Sequence, residues 1–536
     1  MSNLTKNNTK SFIIHPILFS VYPIIFIFSQ NIHLLPLTEI FLPTIIMIVL
    51  TSATLFILGK KIKNKNKIAL SISLLVIVFF SYGHVYNILN ESEFEDSEIT
   101  RHRYLLIPFI ITAVLGTSYF LKSKKIFNNA TTIANGISVS VIVIISINIA
   151  GDVSNGNFFG NPEAVRNETW FGFGVPQENL IKDVFSNSIE KNLVQNEMKT
   201  NEDLPDVYYI ILDEYPNNQS LKKFYGFDNN EFLISLEDSG FYVVENSLSN
   251  YPMTIQSLSS SLNMEYLNML TKDADIDSQN YRLLNELLSD NIVMEKFSSS
   301  GYEIINMGSL WGPNGEFKNA TTNLCEFKEI NFDSLIRELL EKSMISYFYE
   351  RHFEQLRRDQ ITCEFNEFSN LSTNNDQPKF VFVHILLPHP PYIFGPNGEH
   401  VTPGNSLNSE PWNERVAHVN QIKFLNKNFL EKIIPELLSS KNKPIIILQG
   451  DTGGGHSINW EEPTNEMVFE RLANLNVIYF PDSDYEDLYE DMTPVNTFRV
   501  IFNKFLNENY ELHDDRNFWS VGDKPYNYKD VSEILN

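Results

Sequence analysis

Five hydrophobic stretches at the start of the chain limit its possible folds more than any other feature. Each approaches the roughly 20 residues that a helix needs to cross the hydrocarbon core of a membrane. One such stretch could be a buried core helix, but five in succession, separated by short polar loops, predict a five-helix transmembrane anchor over residues 1–150. The stretches cover residues 12–29, 40–59, 68–86, 104–121 and 132–150.

The charges in the loops between these stretches predict the orientation of the chain. The segment 60–67 is densely basic and residues 122–125 form a second basic loop, whereas the loop at 87–100 is acidic. Basic segments beside membrane spans stay on the cytoplasmic side. We therefore expect a multi-pass protein of the cell membrane, with its N-terminus in the cytoplasm and everything after the fifth stretch outside it.

The charge balance differs between the two parts of the chain. Residues 1–150 carry 12 Lys/Arg and 6 Asp/Glu, whereas the whole chain carries 41 and 66, so the negative charge is concentrated in the remainder. Because nucleic-acid binding relies on Lys and Arg contacts to phosphates, so acidic a domain is not expected to bind nucleic acid. The two cysteines, Cys325 and Cys363, form no CxxC motif, and the sequence leaves open whether they pair.

Beyond residue 150 the chain first becomes polar and then changes to alternating strand and helix patterns. Residues 151–204, interrupted by Gly, Asn and Pro, are predicted to be a linker with a short helix at about 178–198. From 205 to 536, the alternation predicts an extracytoplasmic α/β domain with a mostly parallel central sheet. The predicted strands are 206–212, 379–386, 444–448 and 476–480, with helices near 228–238, 282–299, 414–440 and 494–507.

Reactive side chains follow three of these strands. In parallel α/β sheets, ligands bind beyond the carboxyl ends of the strands. Asp213 follows the first strand, Asp451 follows the third, and His389 lies in the loop after the second. Thr254 stands where a helix is expected to begin, in a potential that favours an alkoxide and a phosphate. Since two carboxylates are hard oxygen ligands for a divalent cation, these residues together indicate a phosphoryl-transfer site.

Each of these residues alone has a simpler interpretation. A strand-end aspartate is usually a turn or capping residue, and Thr254 would more often be a helix N-cap. His389 amid prolines could simply order a loop. Their joint occurrence at several strand ends is what favours a metal site.

The same segments resemble the sulfatase-like branch of the alkaline phosphatase superfamily, which includes lipoteichoic acid synthases and phosphoethanolamine transferases. The resemblance covers about 205–520 and implies an alkaline-phosphatase-like (sulfatase-like) fold for the outer domain. The N-terminal part also resembles the membrane anchor of the lipoteichoic acid synthases. The matching segments are PDVYYIILDEY, NYPMTIQSLSSSLNMEYL, FVFVHILLPHPPYIFGPNGE, IIILQGDTGGG, ERLANLNVIYFPD and TPVNTFRVIFNKF.

This resemblance implies roles for individual residues. Asp213 and Asp451 would ligate one divalent cation, Mn²⁺ or Mg²⁺, and Thr254 would be the nucleophile that also touches the metal. His389 would contact the substrate, and Trp311 would belong to the substrate pocket. The implied reaction is a ping-pong transfer in which Thr254 attacks a phosphodiester of a membrane lipid head group or a cell-surface polymer.

One departure from the family pattern bears directly on the metal. Where the family reads Asp-His-Gly, this chain reads Asp451-Thr452-Gly453, and the replaced histidine is a metal ligand. His456, four residues after Thr452, is the candidate to take its place as a ligand. The alternative to an active enzyme is therefore a catalytically impaired member that binds a surface glycan, lipid or protein.

A second departure concerns the choice between phosphate and sulfate esters. Formylglycine-dependent sulfatases need a Cys or Ser in a Cys/Ser-x-Pro-x-Arg setting, and neither Cys325 nor Cys363 has one. A threonine at the nucleophile position suits phosphoryl transfer. A sulfuric ester hydrolase is thus the weaker alternative.

Overall fold

The chain divides into two compact units in a computed structural model. The first comprises residues 1–172 with 329–353, and the second comprises residues 173–328 with 354–536. The predicted linker helix at 178–198 lies outside the described residues. Those are residues 12–32, 35, 37–90, 102–154, 204–268, 276, 281–311, 317, 319–325, 334–371, 377–401, 413–456 and 458–535.

Apolar helices build the first unit. Helix α1 (His15–Gln30) has 16 residues and is followed by α2 (Phe41–Lys61), α3 (Lys65–Asn90), α4 (His102–Lys122) and α5 (Asn128–Ser154). The helices α2 to α5 are the 4 in the described chain that are long and apolar enough to cross a membrane. The shorter α1 falls below that length, so a fifth span stays a prediction.

The side chains of these helices expose an extensive apolar surface. Val49 on α2, Leu115 on α4 and Ile147 on α5 are each more than half exposed. Water-soluble proteins rarely leave so much contiguous apolar surface uncovered, whereas lipid tails solvate it well. The chain is therefore an integral membrane protein.

The second unit is organised around a sheet of 7 strands in the order β2-β7-β6-β1-β5-β3-β4. Strands β6, β1, β5, β3 and β4 run parallel, whereas β7 is antiparallel to β6 and β2 is antiparallel to β7. This confirms the mostly parallel α/β sheet predicted from the sequence. The strands are β1 (Val207–Leu212), β2 (Tyr242–Val243), β3 (Glu303–Met307), β4 (Thr322–Leu324), β5 (Lys379–Ile385), β6 (Ile445–Gly450) and β7 (Asn476–Tyr479), with a separate hairpin of β8 (Phe518–Val521) and β9 (Lys524–Asp530).

The central strand β1 shows why the sheet is covered on both faces. It reads VYYIIL, and all of its residues are buried. Tyr209 and Ile211 pack into one apolar cluster, whereas Tyr208 and Ile210 pack into another on the opposite face. A strand that is apolar on both sides needs helices above and below it, which is the arrangement typical of parallel sheets.

Ten further α-helices of five or more residues lie in the described part of the chain. Six of them correspond to the four predicted helical segments, because the second segment is divided into two helices and the third consists of two helices joined by a π-helix over Phe429–Ile433. Cys325, directly after β4, forms a disulfide with Cys363. The helices are α6 (Asn230–Asp238), α7 (Thr254–Asn263), α8 (Arg282–Ser289), α9 (Ile292–Ser299), α10 (Ser334–Glu341), α11 (Ser346–Leu371), α12 (Glu414–Asn428), α13 (Ile434–Leu438), α14 (Asn465–Leu472) and α15 (Pro494–Phe505).

Candidate metal and phosphoryl-transfer site

Three adjacent strands bring the acidic residues of the site together. Strand β1 lies between β6 and β5, and its last residue, Leu212, is paired with both Gly450 and Ile385. The next residues along β1 and β6 are Asp213 and Asp451. These two aspartates therefore leave the sheet side by side at its carboxyl edge, where the sequence predicts a ligand site.

Strand β5 adds His384, which lies within the strand and not in the loop after it. His384 is paired with Ile211, so it faces the same side of the sheet as Asp213 two residues later. Its Nε2 lies 4.0 Å from Oδ2 of Asp213. One ligand atom each from Asp213, His384 and Asp451 lie within 4.8 Å of one another, the only such group of His, Cys, Asp or Glu side chains in the described part of the chain.

The hydroxyl of Thr254 reaches this group from the helix that covers the same face. Thr254 is the first residue of α7, and its Oγ1 donates a hydrogen bond of 2.6 Å to Oδ2 of Asp451. The N-cap residue is Met253, and no side chain caps the helix, so Thr254 is not an N-cap and its hydroxyl is hydrogen-bonded to Asp451. Ser257, one turn further on, donates to the main-chain oxygen of Asp451 over 2.6 Å and holds the two elements together.

The electrostatics of the aspartate pair fit a divalent cation. Burial, followed by the charge of Glu214, raises the pKa of Asp213 to about 7. Burial and the charge of Asp213 raise the pKa of Asp451 to about 7 as well. No described residue donates a hydrogen bond to Oδ1 of Asp213. Because a buried anionic oxygen is unfavourable without a compensating charge, Asp213, Asp451 and Thr254 are the residues that would hold a divalent cation.

An ion pair beside the aspartates ties three segments of the site together. Arg471 of α14 donates hydrogen bonds to the carboxylate of Glu214, to the carbonyl oxygen of Pro252 at 2.6 Å and to that of Gly453 at 3.2 Å. Burial alone would raise the pKa of Glu214, but the charges of Arg471 and His389 lower it to about 2. The end of β1, the turn before α7 and the turn after β6 are thus joined through one guanidinium group.

The predicted substrate residues line a cavity that Thr254 and Glu214 also line, whereas the buried Asp213, His384 and Asp451 are not among its lining residues. The cavity has a volume of about 730 Å³, and Thr254, His389 and Trp311 are among its lining residues. The His389 side chain is 42% exposed, with its Nε2 3.9 Å from Oε1 of Glu214. The Trp311 ring meets the ring of His384 edge-on, with 5.6 Å between their centroids. Both residues therefore share a cavity with Thr254, and their contact with substrate stays a prediction.

His456 contacts a different set of side chains from those that surround Asp213. Its Nδ1 is 3.5 Å from Oε2 of Glu414, its Nε2 is 3.3 Å from the hydroxyl of Tyr392, and its ring lies against His418 with 5.1 Å between centroids. It is not a member of the group formed by the two aspartates and His384. Its role as a metal ligand stays a prediction.

Comparison with known proteins gives structural neighbours only. No protein-family model matches the sequence, and no curated protein matches it. The periplasmic domain of EptC from Escherichia coli is similar to this chain, with a TM-score of 0.43 and 12% identity, over 63% of this chain and 96% of that one. The lipooligosaccharide phosphoethanolamine transferase EptA from Neisseria meningitidis, an integral membrane protein, has a TM-score of 0.38 and 12% identity over 92% of this chain and 95% of its own.

A third neighbour has another activity. The phosphonate monoester hydrolase of Agrobacterium radiobacter has a TM-score of 0.37 and 12% identity over 59% of this chain and 80% of that one. A phosphoethanolamine transferase and a putative sulfatase are thus among the solved structures that are similar to this chain. With TM-scores below 0.5, these similarities bear on neither substrate nor mechanism.

Proposed function

We propose that the outer domain is a metal-dependent phosphotransferase or phosphodiesterase that acts on lipid head groups or cell-surface polymers, with Thr254 as its nucleophile. The observation that carries this proposal is the 2.6 Å hydrogen bond from the Thr254 hydroxyl to Asp451, at the N-terminus of α7 and beside Asp213. Thr254 then presents a hydroxyl, at a helix end that favours anions, to the cavity that it lines, and two buried carboxylates able to bind a cation lie beside this hydroxyl.

The reaction consists of two displacements at phosphorus. Oγ1 of Thr254 forms a bond to the phosphorus of a phosphodiester, the bond from phosphorus to the first alcohol breaks, and this alcohol leaves with a proton. A second alcohol or water then bonds to the same phosphorus, the bond to Oγ1 breaks, and Thr254 regains its proton. His389 would donate to the leaving oxygen. A divalent cation held by Asp213 and Asp451 would lower the pKa of the Thr254 hydroxyl and offset the negative charge of the phosphoryl group.

The charges of the anchor support an outer position for this domain. The basic loops between α2 and α3 and between α4 and α5 both belong on the cytoplasmic side, so the chain leaves α5 on the outside. This conclusion does not depend on whether α1 crosses the membrane, since only the side of the N-terminus would change. The disulfide between Cys325 and Cys363 agrees with an oxidising compartment.

The test compares full-length chains in detergent with Mn²⁺ and a chromogenic phosphodiester. Thr254→Ala is expected to reduce cleavage by about 10³-fold or more, because a missing nucleophile removes the first displacement. Thr254→Ser keeps the hydroxyl and should retain a measurable fraction of the rate, and Thr362→Ala on α11 serves as a matched control. Cleavage by Thr254→Ala at the parent rate would refute the proposed nucleophile.

A binding protein built on the same fold is the second candidate, and Thr452 favours it. Threonine at this position lacks the ligating nitrogen of the family's histidine, which would weaken a metal site. This candidate predicts that the parent chain binds no metal at saturating Mn²⁺ and cleaves no phosphodiester. Metal content and cleavage measured on the same sample therefore separate the two.

A further inference from the structure

Because Thr452 stands where the family has a histidine, the turn Asp451-Thr452-Gly453 offers no side-chain nitrogen to a metal. Thr452 is fully buried, and no described residue forms a hydrogen bond with its Oγ1. Its main-chain nitrogen instead donates to Oδ1 of Asp451 over 2.7 Å, which orients the aspartate. A neutral hydroxyl is a weak ligand, so a metal at this site needs a donor from another element.

Strand β5 supplies such a donor on the correct face of the sheet. Phe380 and Phe382 pack into the same apolar cluster as α7, and His384 continues their alternation at the carboxyl end of the strand. The side chain is fully buried, with its Nε2 4.0 Å from Asp213. Ring contact with Trp311 restricts the orientation of the imidazole beside the aspartates.

We propose that His384 has taken over the role of the histidine that Thr452 replaces, so that the metal is bound by Asp213, Asp451 and His384 together with Thr254. The inference rests on the proposed metal-dependent function and deepens it, because it assigns the nitrogen ligand. The ligand has moved from the turn after β6 to the strand on the other side of β1, while the ligand atoms stay within 4.8 Å of one another.

The ligand set predicts which cation binds best. Carboxylates alone suit Mg²⁺ and Mn²⁺, whereas an imidazole nitrogen shifts preference to later transition metals. A site with two aspartates and one histidine should therefore bind Zn²⁺ more tightly than Mn²⁺, and Mn²⁺ more tightly than Mg²⁺. Removal of the histidine should reduce this discrimination.

Metal affinity, measured on full-length chains after removal of metal by chelation, tests the proposal. The parent is expected to bind one Zn²⁺ per chain, and His384→Ala to bind it at least about 10-fold more weakly, the lower end of what even an outer-sphere partner of a ligand contributes. His418→Asn, at another fully buried histidine of the same domain, should keep the parent affinity. In Co²⁺-loaded protein, His384→Ala should alter the visible absorption bands, which report the ligand set and not the turnover.

A rescue variant guards against loss of metal through misfolding. The double variant His384→Ala with Thr452→His restores the family's histidine and should regain Zn²⁺ affinity. His384→Gln, which is closer in volume, should show the weakened affinity of the alanine variant while unfolding at the parent temperature in the presence of chelator.

The outcomes separate this inference from the proposed function. Parent-like Zn²⁺ affinity in both His384→Ala and His384→Gln would overturn the role of His384. The proposed function would survive that result if Thr254→Ala still abolished phosphodiester cleavage. A parent chain that binds no metal and cleaves no phosphodiester would instead overturn both.

Discussion

Asp213 and Asp451 lie side by side with 6% and 0% of their surfaces exposed, and burial together with the charge of Asp213 raises the pKa of Asp451. Such a pair is unfavourable in the ionised state unless a cation compensates it. The same pair that is unfavourable in the metal-free domain would therefore favour the binding of a divalent cation, as the proposed function requires. The pair also explains why Thr254 belongs to the site, since its hydroxyl donates to one of the two carboxylates.

The stability of the metal-free protein should consequently depend on pH. The pKa of each aspartate in the folded state, about 7, lies above its ordinary value near 4, so the folded state binds more protons than the unfolded state between these pH values. The stability that these protonated groups confer is fully present below about pH 4 and is lost as pH rises through 7. Metal binding must displace these protons, so its stabilising effect should grow with pH.

Thermal unfolding from pH 5 to 8, with chelator and with Zn²⁺, checks this expectation. At pH 8, free metal at 100 times its Kd should stabilise the protein by about 2.7 kcal/mol, with a much smaller effect at pH 5 for the same total metal. Asp213→Asn removes one of the two charges and should flatten the pH dependence of the metal-free protein. A stabilisation by metal that is equal at pH 5 and 8 would contradict the coupled carboxylates.

Among the secondary-structure elements, the turns around β1, β6 and α7 depend on a single buried ion pair. The side chains of Arg471 and Glu214 are 7% and 12% exposed, and the arginine also donates to main-chain oxygens of two neighbouring turns. Removal of one member of such a pair leaves an uncompensated buried charge. Removing one member should therefore lower the free energy of unfolding more than removing both members does.

A double-mutant cycle on this pair tests its role. Arg471→Gln is expected to destabilise the outer domain by about 3–5 kcal/mol, as breaking a buried ion pair does in other proteins. The double variant Glu214→Gln with Arg471→Gln should be less destabilised than the sum of the single variants, because neither charge is left alone. Additive losses in unfolding free energy would show that the two side chains act independently.

The elements that the sequence predicts well are those with local signals. The apolar run at 206–212 becomes β1 at Val207–Leu212, and Asp213 stands at its end as predicted. His384 is not found by this reasoning because it precedes the strand end, and its proposed role depends on β5 lying beside β1, about 170 residues away in sequence. The pairing of Cys325 with Cys363 depends on tertiary structure in the same way, and no local pattern indicates it.

For the whole molecule, the exposed apolar helices and the acidic α/β domain predict two different environments for one chain. Lys63 lies in the basic loop between α2 and α3, and Lys441 lies on the surface of the α/β domain before β6. The variants Lys63→Cys and Lys441→Cys each introduce one free thiol, because the native cysteines are joined in a disulfide. Labelling of that thiol reports on which side of the membrane each residue lies.

A membrane-impermeant maleimide applied to intact cells should label Lys441→Cys and not Lys63→Cys. Permeabilised cells should show labelling of both, which controls for accessibility of the thiol. The reverse pattern in intact cells would place the α/β domain in the cytoplasm. It would contradict the proposed action on lipid head groups or surface polymers outside the cell.

Trapping of the covalent intermediate on Thr254 tests the central claim most directly. Full-length protein loaded with metal, incubated briefly with a phosphodiester and quenched in acid, should yield by mass spectrometry a peptide that carries the phospho-group on Thr254. The modification should be absent in Thr254→Ala and should disappear when an acceptor alcohol is added. Turnover of the phosphodiester without a modified Thr254 peptide, undiminished in Thr254→Ala, would contradict a threonine nucleophile at this site.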